Sequence, residues 1–358
     1  MKYALIGCGR ISPNHIAAAK DNNLEIIAIC DIKKENMENI SEKFDLSSSD
    51  IKRYTDYAEM IKNENLDLVA IATESGLHAK IALDCIEKGI NCIIEKPIAM
   101  NMKDARAICK SAEEHGVVVC ANHQNRFNKS IQKIREAVEE GKFGKLMHGT
   151  AHIRWNRNQD YYTQAPWRGT WAQDGGCLMN QCIHNIDLLR WMMGNEIDEV
   201  MAYTDNLNHD FIEAEDLGIA IVKFKNGSYG IIEGTTNVYP KNLEETLYLF
   251  GTTGTVKAGG KSVNIIEEWN FANETENSEV IKKENSEQPE NVYGFGHRPL
   301  YENVINAINN HTKPLVDAEA GTRALELVLA IYKSAAEGKP VKLPLGDVSS
   351  TDFIGRFK

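Results

Sequence analysis

The chain has 358 residues, 42% of them hydrophobic and 25% charged, and carries a formal net charge of −11. That length favours two domains over one small core, within an ordinary globular composition. An acidic balance without a basic tail argues against nucleic acid or an anionic membrane as partner. No apolar run reaches the ~18 residues of a membrane span and no signal peptide opens the chain, so the expected setting is the cytoplasm.

Lys2–Ile6 is a short apolar strand that runs into Gly7-Cys8-Gly9-Arg10-Ile11-Ser12. Ser12 as N-cap and Pro13 at the first helical position open a helix over Asn14–Lys20, and a second strand, Glu25–Cys30, ends at Asp31. A glycine-rich turn between strand and helix places free N–H groups against a pyrophosphate, and an acid about 20 residues on accepts bonds from a ribose. Gly7, Cys8, Gly9, Arg10, Ile11 and Asp31 are therefore candidate dinucleotide ligands. Asp31 would repel a 2′-phosphate, so the expected cofactor is NAD rather than NADP, a preference softened by Lys33 and Lys34.

Alternation continues through strand Asp67–Thr73, helix Leu77–Lys88, strand Asn91–Glu95, helix Met102–His115 and strand Val117–Ala121. This pattern predicts an α/β fold with a doubly wound parallel sheet over residues 1–121. Ligands in such sheets sit at the carboxyl ends of strands. Thr73, Ser75 and His78, then Glu95, Lys96 and Pro97, then Asn122 and Gln124 are singled out on that ground. Lys96 has two readings there: a lysine in a surface loop, or a group that holds a substrate hydroxyl and stabilises developing alkoxide charge.

Residues 122–358 read as a second α/β domain with a large open, mostly antiparallel sheet. A helix over Phe127–Gly141 is followed by strands at Leu146–Arg154, Glu199–Thr204, Leu217–Phe224, Ser228–Thr236, Thr246–Phe250, Gly254–Ala258 and Val263–Ile266, with Asn226-Gly227 as a hairpin turn. Such a sheet is an expected subunit interface, so a homo-oligomer is anticipated. Between the first two strands lies Arg154–Gly194, which holds four of the five tryptophans; from Lys142 to Arg168 there are five Lys or Arg and one acid, Asp160. A locally cationic, aromatic stretch in an acidic chain suits something flat and anionic. Arg154, Arg157 and Arg168 could pair with anions and Tyr161 or Tyr162 could stack a base; the arginines could equally be solvated strand charges, and Trp155 and Trp191 core. The stretch ends in a helix with Asn180, His184 and Asp187 at spacings of four and three. Asn273–Asn291 reads as an exposed loop. His297 and Arg298, at the head of a helix over Pro299–Asn309, could reach substrate phosphates or serve the helix end; Ala318–Glu337 is an amphipathic packing helix. The eight cysteines show no ligand spacing and read as reduced, buried small hydrophobes, and no metal cluster is expected.

Gly7-Cys8-Gly9-Arg10-Ile11, Glu95-Lys96-Pro97 and Gly175-Gly176-Cys177-Leu178-Met179-Asn180-Gln181-Cys182-Ile183-His184 together resemble the signatures of the glucose-fructose oxidoreductase/inositol dehydrogenase superfamily. The resemblance covers the whole chain in the expected order. It implies that Lys96 and His184 flank the reacting sugar carbon, that Trp167 and Arg168 lie on the nicotinamide side and that the oligomer is a tetramer or dimer. Much of the superfamily has Asp where this chain has Asn180; an amide can position a hydroxyl but cannot act as base, so proton removal falls to His184, or to Lys96 acting with it. The stretch from Arg154 to Gly194 is similar to the branch that oxidises C3 of UDP-N-acetylglucosaminuronate on the way to surface polysaccharides. The implied substrate is thus a UDP-sugar acid, contacted by Lys96, Arg154, Arg157, Tyr161, Tyr162, Asn180, His184, His297 and Arg298. The alternatives are a dehydrogenase of a free sugar or cyclitol, and an NAD-binding regulator that kept the fold and lost the chemistry.

Overall fold

The computed structural model describes residues 1–46, 50–289 and 291–357. The chain divides into two compact units, Met1–His123 with His297–Thr322, and Gln124–Gly296 with Arg323–Lys358. The region expected as one domain over 122–358 is therefore not continuous in space. Its segment His297–Thr322 returns to the first unit, where helix His297–Asn310 buries Leu300, Tyr301, Val304 and Ala307. Glu290 of the expected loop and Lys358 at the expected domain end lie outside the described residues.

In the first unit the chain runs β1 (Lys2–Ile6), α1 (Ser12–Asp21), β2 (Glu25–Cys30), α2 (Lys34–Phe44), β3 (Lys52–Tyr54), α3 (Tyr57–Asn63), β4 (Leu68–Ile71), α4 (His78–Ile86), β5 (Asn91–Ile94), α5 (Met102–His115) and β6 (Val119–Ala121). All six strands are parallel, in the order β3-β2-β1-β4-β5-β6. The chain reverses direction of winding between β1 and β4, the switch point at which such sheets bind ligands. The inner strands β1, β4 and β5 are mainly apolar, and Leu68–Ile71 is buried throughout. The α2, β3 and α3 elements escape the sequence reading because α2 turns only Met37, Ile40 and Ser41 inward and β3 is three residues long. Ser12 is not an N-cap. It is the first helical residue, and its hydroxyl donates back to the Gly9 carbonyl at 2.6 Å.

The second unit begins with a short turn at Gln124–Phe127 and α6 (Lys129–Glu139). Then come β7 (Leu146–Arg154), α7 (Gln159–Thr163), a π-helical turn at Leu178–Cys182 and α8 (Ile183–Met193). Strands β8 (Ile197–Asp205), β9 (Leu217–Phe224), β10 (Tyr229–Thr235), β11 (Glu244–Gly251), β12 (Gly254–Gly259), β13 (Ile265–Phe271) and β14 (Val341–Lys342) complete the sheet. Its order is β13-β12-β11-β7-β10-β9-β8-β14, antiparallel except for the β7–β10 pair. The α8 helix packs on β7, β10 and β11. Tyr203, Ile219, Ile221, Tyr229 and Ile231 of β8–β10 remain exposed. The expected loop over 273–291 contains a helix at Ser278–Glu284, because the Asn277 side chain caps it through the Glu279 N–H (2.9 Å). No helix among the described residues is long and apolar enough to cross a membrane.

Candidate active site

The glycine turn is set by contact as well as by φ. Gly7 has φ +94°, and a Cβ there would lie 2.4 Å from the Ala72 carbonyl oxygen. Gly9 faces open space, with nothing within 4 Å of its added Cβ. Asp31 closes the turn from the tip of β2, accepting the Cys8 N–H at 2.8 Å, the Lys33 N–H at 2.8 Å and the Asn36 amide at 3.1 Å. No side chain caps α1; the Ser12 and Asn14 N–H groups bond the Gly9 and Ile11 carbonyls and Pro13 has none, so the amides that face a ligand are those of the turn Gly9–Ile11 ahead of the helix. Cys8, Gly9, Arg10, Ser12 and Pro13 line one side of a cleft of about 270 Å³, with Asn36, Asn39 and Lys43 of α2 on the other. An open Gly9, the turn amides of Gly9–Ile11 and an acid beside them fit a dinucleotide.

At the ends of β4 and β5 the structure sorts the candidates. His78 is fully buried between the carbonyls of Pro97 (Nδ1, 2.8 Å) and Thr73 (Nε2, 3.1 Å). Burial lowers its pKa, and the neutral ring has one N–H to donate to one or other of these two carbonyls. Ser75 lies buried in the short turn ahead of α4. Glu95 is buried as well. Its Oε1 accepts from His15 Nε2 at 3.0 Å and from the Asn122 amide, and its Oε2 accepts the Lys96 N–H at 3.2 Å. Burial opposes its ionisation, but the bond and charge of His15, with His297 and Lys96 nearby, hold the carboxyl well below the usual range. His15 Nδ1 meets the Tyr301 hydroxyl at 2.7 Å, which in turn meets Tyr3 at 2.9 Å. Lys96, joined to Pro97 by a cis peptide, thus follows a fixed, charged residue.

His297 is a correction. It lies 5% exposed inside the first unit, edge-on to His15 and 3.2 Å from the Asn122 amide, and burial drops its pKa to about 3. A neutral imidazole in a core is no phosphate ligand. Ligand atoms of His15, Glu95 and His297 fall within 4.8 Å of one another, a grouping that separation in the sequence concealed, yet these atoms are engaged in the bonds just described. Arg298 next to it is exposed, and its carbonyl accepts from Asn22 at 3.1 Å.

In the second unit His184 sits half-buried in the first turn of α8, directly after the π turn that carries Asn180. Such turns cluster at functional sites. Asp187, the last member of this row, is structural: it is 2% exposed and holds Arg126 through two bonds of 2.6 and 2.7 Å. Asn180 donates to Asp174 and accepts from Gln181 Nε2 at 3.1 Å. Two residues not anticipated from sequence brace this segment. Glu215 Oε1 accepts the Leu178 N–H at 2.8 Å and the Tyr332 hydroxyl at 2.9 Å, while Tyr332 accepts the Met179 N–H at 3.2 Å. A Cβ on Gly176 would lie 1.6 Å from Glu215 Oε2, which is why a glycine precedes this helix. Burial raises the Glu215 pKa to about 8, so at neutral pH it is largely protonated.

The aromatic, cationic stretch splits into core and open parts. Trp171 is fully buried against Tyr332 and Phe353, and Trp191 lies under Arg126 and Arg135. Tyr162 packs on His209 and Phe211 with its hydroxyl 3.4 Å from Thr236, so it is not available to stack a base. Arg154 is held by Glu233 and Glu244 from the neighbouring strands β10 and β11, which removes it as an anion ligand. Local charge counting missed these partners because they are remote in sequence. Arg157, Tyr161, Trp167 and Arg168 remain half-exposed. Gln124, buried in the second unit's opening turn, carries no sign of a ligand role.

A 3-2-1-4-5-6 parallel sheet with this glycine turn, followed by an α/β unit with an open sheet, defines the class of NAD-binding two-unit oxidoreductases. Residues 1–123 match the NAD-binding Rossmann fold, and residues 135–343 the C-terminal alpha/beta domain, of one oxidoreductase family. The chain belongs to that family, Gfo/Idh/MocA, and its cofactor is NAD. It is 37% identical to the WlbA dehydrogenase from Bordetella pertussis, solved with NADH and UDP-GlcNAcA, with a TM-score of 0.90 over 97% of this chain and 98% of that one. The WlbA enzyme from Chromobacterium violaceum, in complex with the same two molecules, is 35% identical with a TM-score of 0.88 over 97% and 96%. Myo-inositol 2-dehydrogenase of Thermotoga maritima is 26% identical over 96% of this chain and 98% of its own length.

Proposed function

We propose that this protein catalyses the NAD-dependent oxidation of the C3 hydroxyl of a UDP-linked N-acetylated hexuronate to a 3-keto sugar nucleotide, in surface polysaccharide sugar biosynthesis. The observation that carries the reading is 37% identity, along nearly the whole chain, to a dehydrogenase solved with NADH and UDP-GlcNAcA. In this reading Lys96 hydrogen-bonds the reacting hydroxyl and stabilises the charge that develops on its oxygen, and His184 accepts the hydroxyl proton. NAD, when bound, supplies the hydride acceptor. Asp31 and the amides of Gly9–Ile11 hold the dinucleotide; Asn180 positions a sugar hydroxyl.

The inositol-type reading is supported by the 26% identity to myo-inositol 2-dehydrogenase. It leaves the half-exposed arginines without a role. Incubation with NAD and either UDP-N-acetylglucosaminuronate or myo-inositol separates the two through nicotinamide absorbance and product mass. A 3-keto product from the sugar nucleotide is expected; turnover of inositol alone would overturn the reading. The exposed apolar residues of β8–β10 further support a second copy of this chain docked on the sheet, giving a dimer or tetramer. Sedimentation as a monomer at micromolar concentration would count against it.

A further inference from the structure

Arg157 and Arg168 differ from Arg154 in what neutralises them. Five side chains form a ladder. The Arg157 guanidinium lies 4.7 Å from the Trp155 ring and 5.0 Å from Tyr161, and that of Arg168 lies 4.3 Å from Tyr161 and 4.7 Å from Trp167. Among the described residues neither arginine has a carboxylate partner. Arg157 Nη1 donates to the Asn156 carbonyl (2.6 Å) and the Asn242 amide oxygen (3.1 Å), and Arg168 Nη1 donates to the Tyr161 hydroxyl (2.6 Å). The Nε of each is buried without an acceptor. Asp174 is the acid whose charge reaches Tyr161, but its oxygens accept from the Gly169 N–H (2.7 Å) and from Asn180.

The Tyr161 hydroxyl completes the pattern. It accepts from both Arg168 and Gln181 Nε2 (3.1 Å), which fills its two lone pairs and leaves its own proton without a protein acceptor. Two cations and an unspent O–H donor gathered at one ring are costly unless an oxyanion receives them. We infer that Arg157, Tyr161 and Arg168 form an oxyanion site that takes the carboxylate of the substrate's sugar acid. The assignment rests on the UDP-hexuronate reading and moves Arg168 from the cofactor to the substrate. Gln181 decides between carboxylate and diphosphate. It ties Tyr161 to the segment that carries Asn180 and His184, and the carboxylate belongs to the sugar ring that these residues would handle, whereas the diphosphate leads away from it.

Calorimetric titration of the NADH-loaded protein with UDP-GlcNAcA, UDP-GlcNAc and UDP tests this in the parent and in Arg157→Gln, Arg168→Gln and Tyr161→Phe. Each arginine change should weaken UDP-GlcNAcA roughly 10-fold or more, the scale of a charge-assisted bond, and leave UDP and UDP-GlcNAc unchanged. Tyr161→Phe keeps the ladder ring and removes only the hydroxyl, so a smaller loss is expected, again confined to UDP-GlcNAcA. Unchanged affinity for UDP-GlcNAcA overturns the site, and an equal loss for UDP overturns the carboxylate assignment. If the parent does not bind UDP-GlcNAcA, the substrate reading fails by itself. Tryptophan fluorescence then decides the site: a response to glucuronate but not glucose, lost in Arg168→Gln, supports it, and equal or absent responses overturn it.

Discussion

Alanine at Gly7 and at Gly9 should have different consequences, although both glycines belong to the same turn. At Gly7 the new Cβ would sit 2.4 Å from the Ala72 oxygen, 2.5 Å from its carbonyl carbon and 2.8 Å from the Thr73 nitrogen, where ordinary contact begins near 3.4 Å. These are backbone atoms at the end of β4, so relief requires a shift of about 1 Å between two strands of a packed sheet. Overpacking of that kind costs ~1–3 kcal/mol, and a left-handed φ for alanine adds ~1–2 kcal/mol. Together the cost is about 2–5 kcal/mol, and the melting temperature should drop by roughly 5–15 °C. NADH affinity should fall as well, because Cys8 and its bond to Asp31 move with the turn. Gly9 has nothing within 4 Å, so Gly9→Ala should melt like the parent but bind NADH at least ~10-fold more weakly, its methyl standing where the pyrophosphate approaches. Calorimetric melting and NADH fluorescence titration read the two effects separately. A Gly7→Ala protein that melts with the parent would refute the steric argument. A Gly9→Ala protein with parental NADH affinity would remove the pyrophosphate from this turn.

Lys96→Ala should lower turnover by about 10²–10⁴-fold while NADH binding stays within a few-fold; near-normal turnover would sink the role given to this lysine. Asp31→Ala should weaken NAD by ~10-fold or more and relax discrimination against NADP, since it deletes an acceptor for the ribose and for the Cys8 and Lys33 N–H groups; an unchanged NAD titration would exclude Asp31 as the ribose ligand. Glu215 has a folded pKa raised to about 8 from 4.5, so the stability it contributes is complete below about pH 4.5 and is lost as pH rises through about 8. Glu215→Gln keeps the acceptor for Leu178 and Tyr332 without the charge, so its stability relative to the parent should improve between pH 5 and 9 by a few kcal/mol at most, at ~1.4 kcal/mol per pKa unit. Urea unfolding of both proteins at the two pH values checks this, and an equal difference at both would refute it.

The dinucleotide half was legible because its signals are local. Lys2–Ile6, the glycine turn and Asp31 lie within one βαβ unit, and each residue's placement follows from neighbours a few positions away. The failures share one physical cause: partners distant in sequence. Arg154 looked free because its nearest acids in the chain are few, yet strand pairing puts Glu233 and Glu244 beside it. His297 looked like a phosphate ligand at a helix head, yet that helix buries it against His15, far along the chain. Of the row Asn180, His184 and Asp187, Asn180 lies in a π turn at Leu178–Cys182 that a count of α spacing does not reveal, and Asp187 is structural, with the buried Arg126 as its remote partner. Glu215 and Tyr332 carried no sequence signal, since a carboxylate that caps a remote helix looks like any strand-flanking acid.

In each unit a buried carboxylate stands beside the segment that bears a proposed chemical group, and the two are in opposite charge states for reasons the neighbours explain. Glu95 has His15 on one oxygen and the Lys96 N–H on the other, so ionisation wins over burial. Glu215 is bonded by a phenol and an amide and, among the described residues, by no cation, so burial wins and the acid stays largely neutral at pH 7. The difference suits the residues they support. An anion one position before Lys96 favours an ammonium able to hold a developing alkoxide. A neutral acid at the start of the His184 segment supplies its bonds to backbone and tyrosine without adding a fixed negative charge where the proposed anionic substrate would bind. The chain therefore uses one residue type as a brace twice, and it is the surrounding donors, not the carboxyl itself, that decide whether the brace also acts as an electrostatic partner.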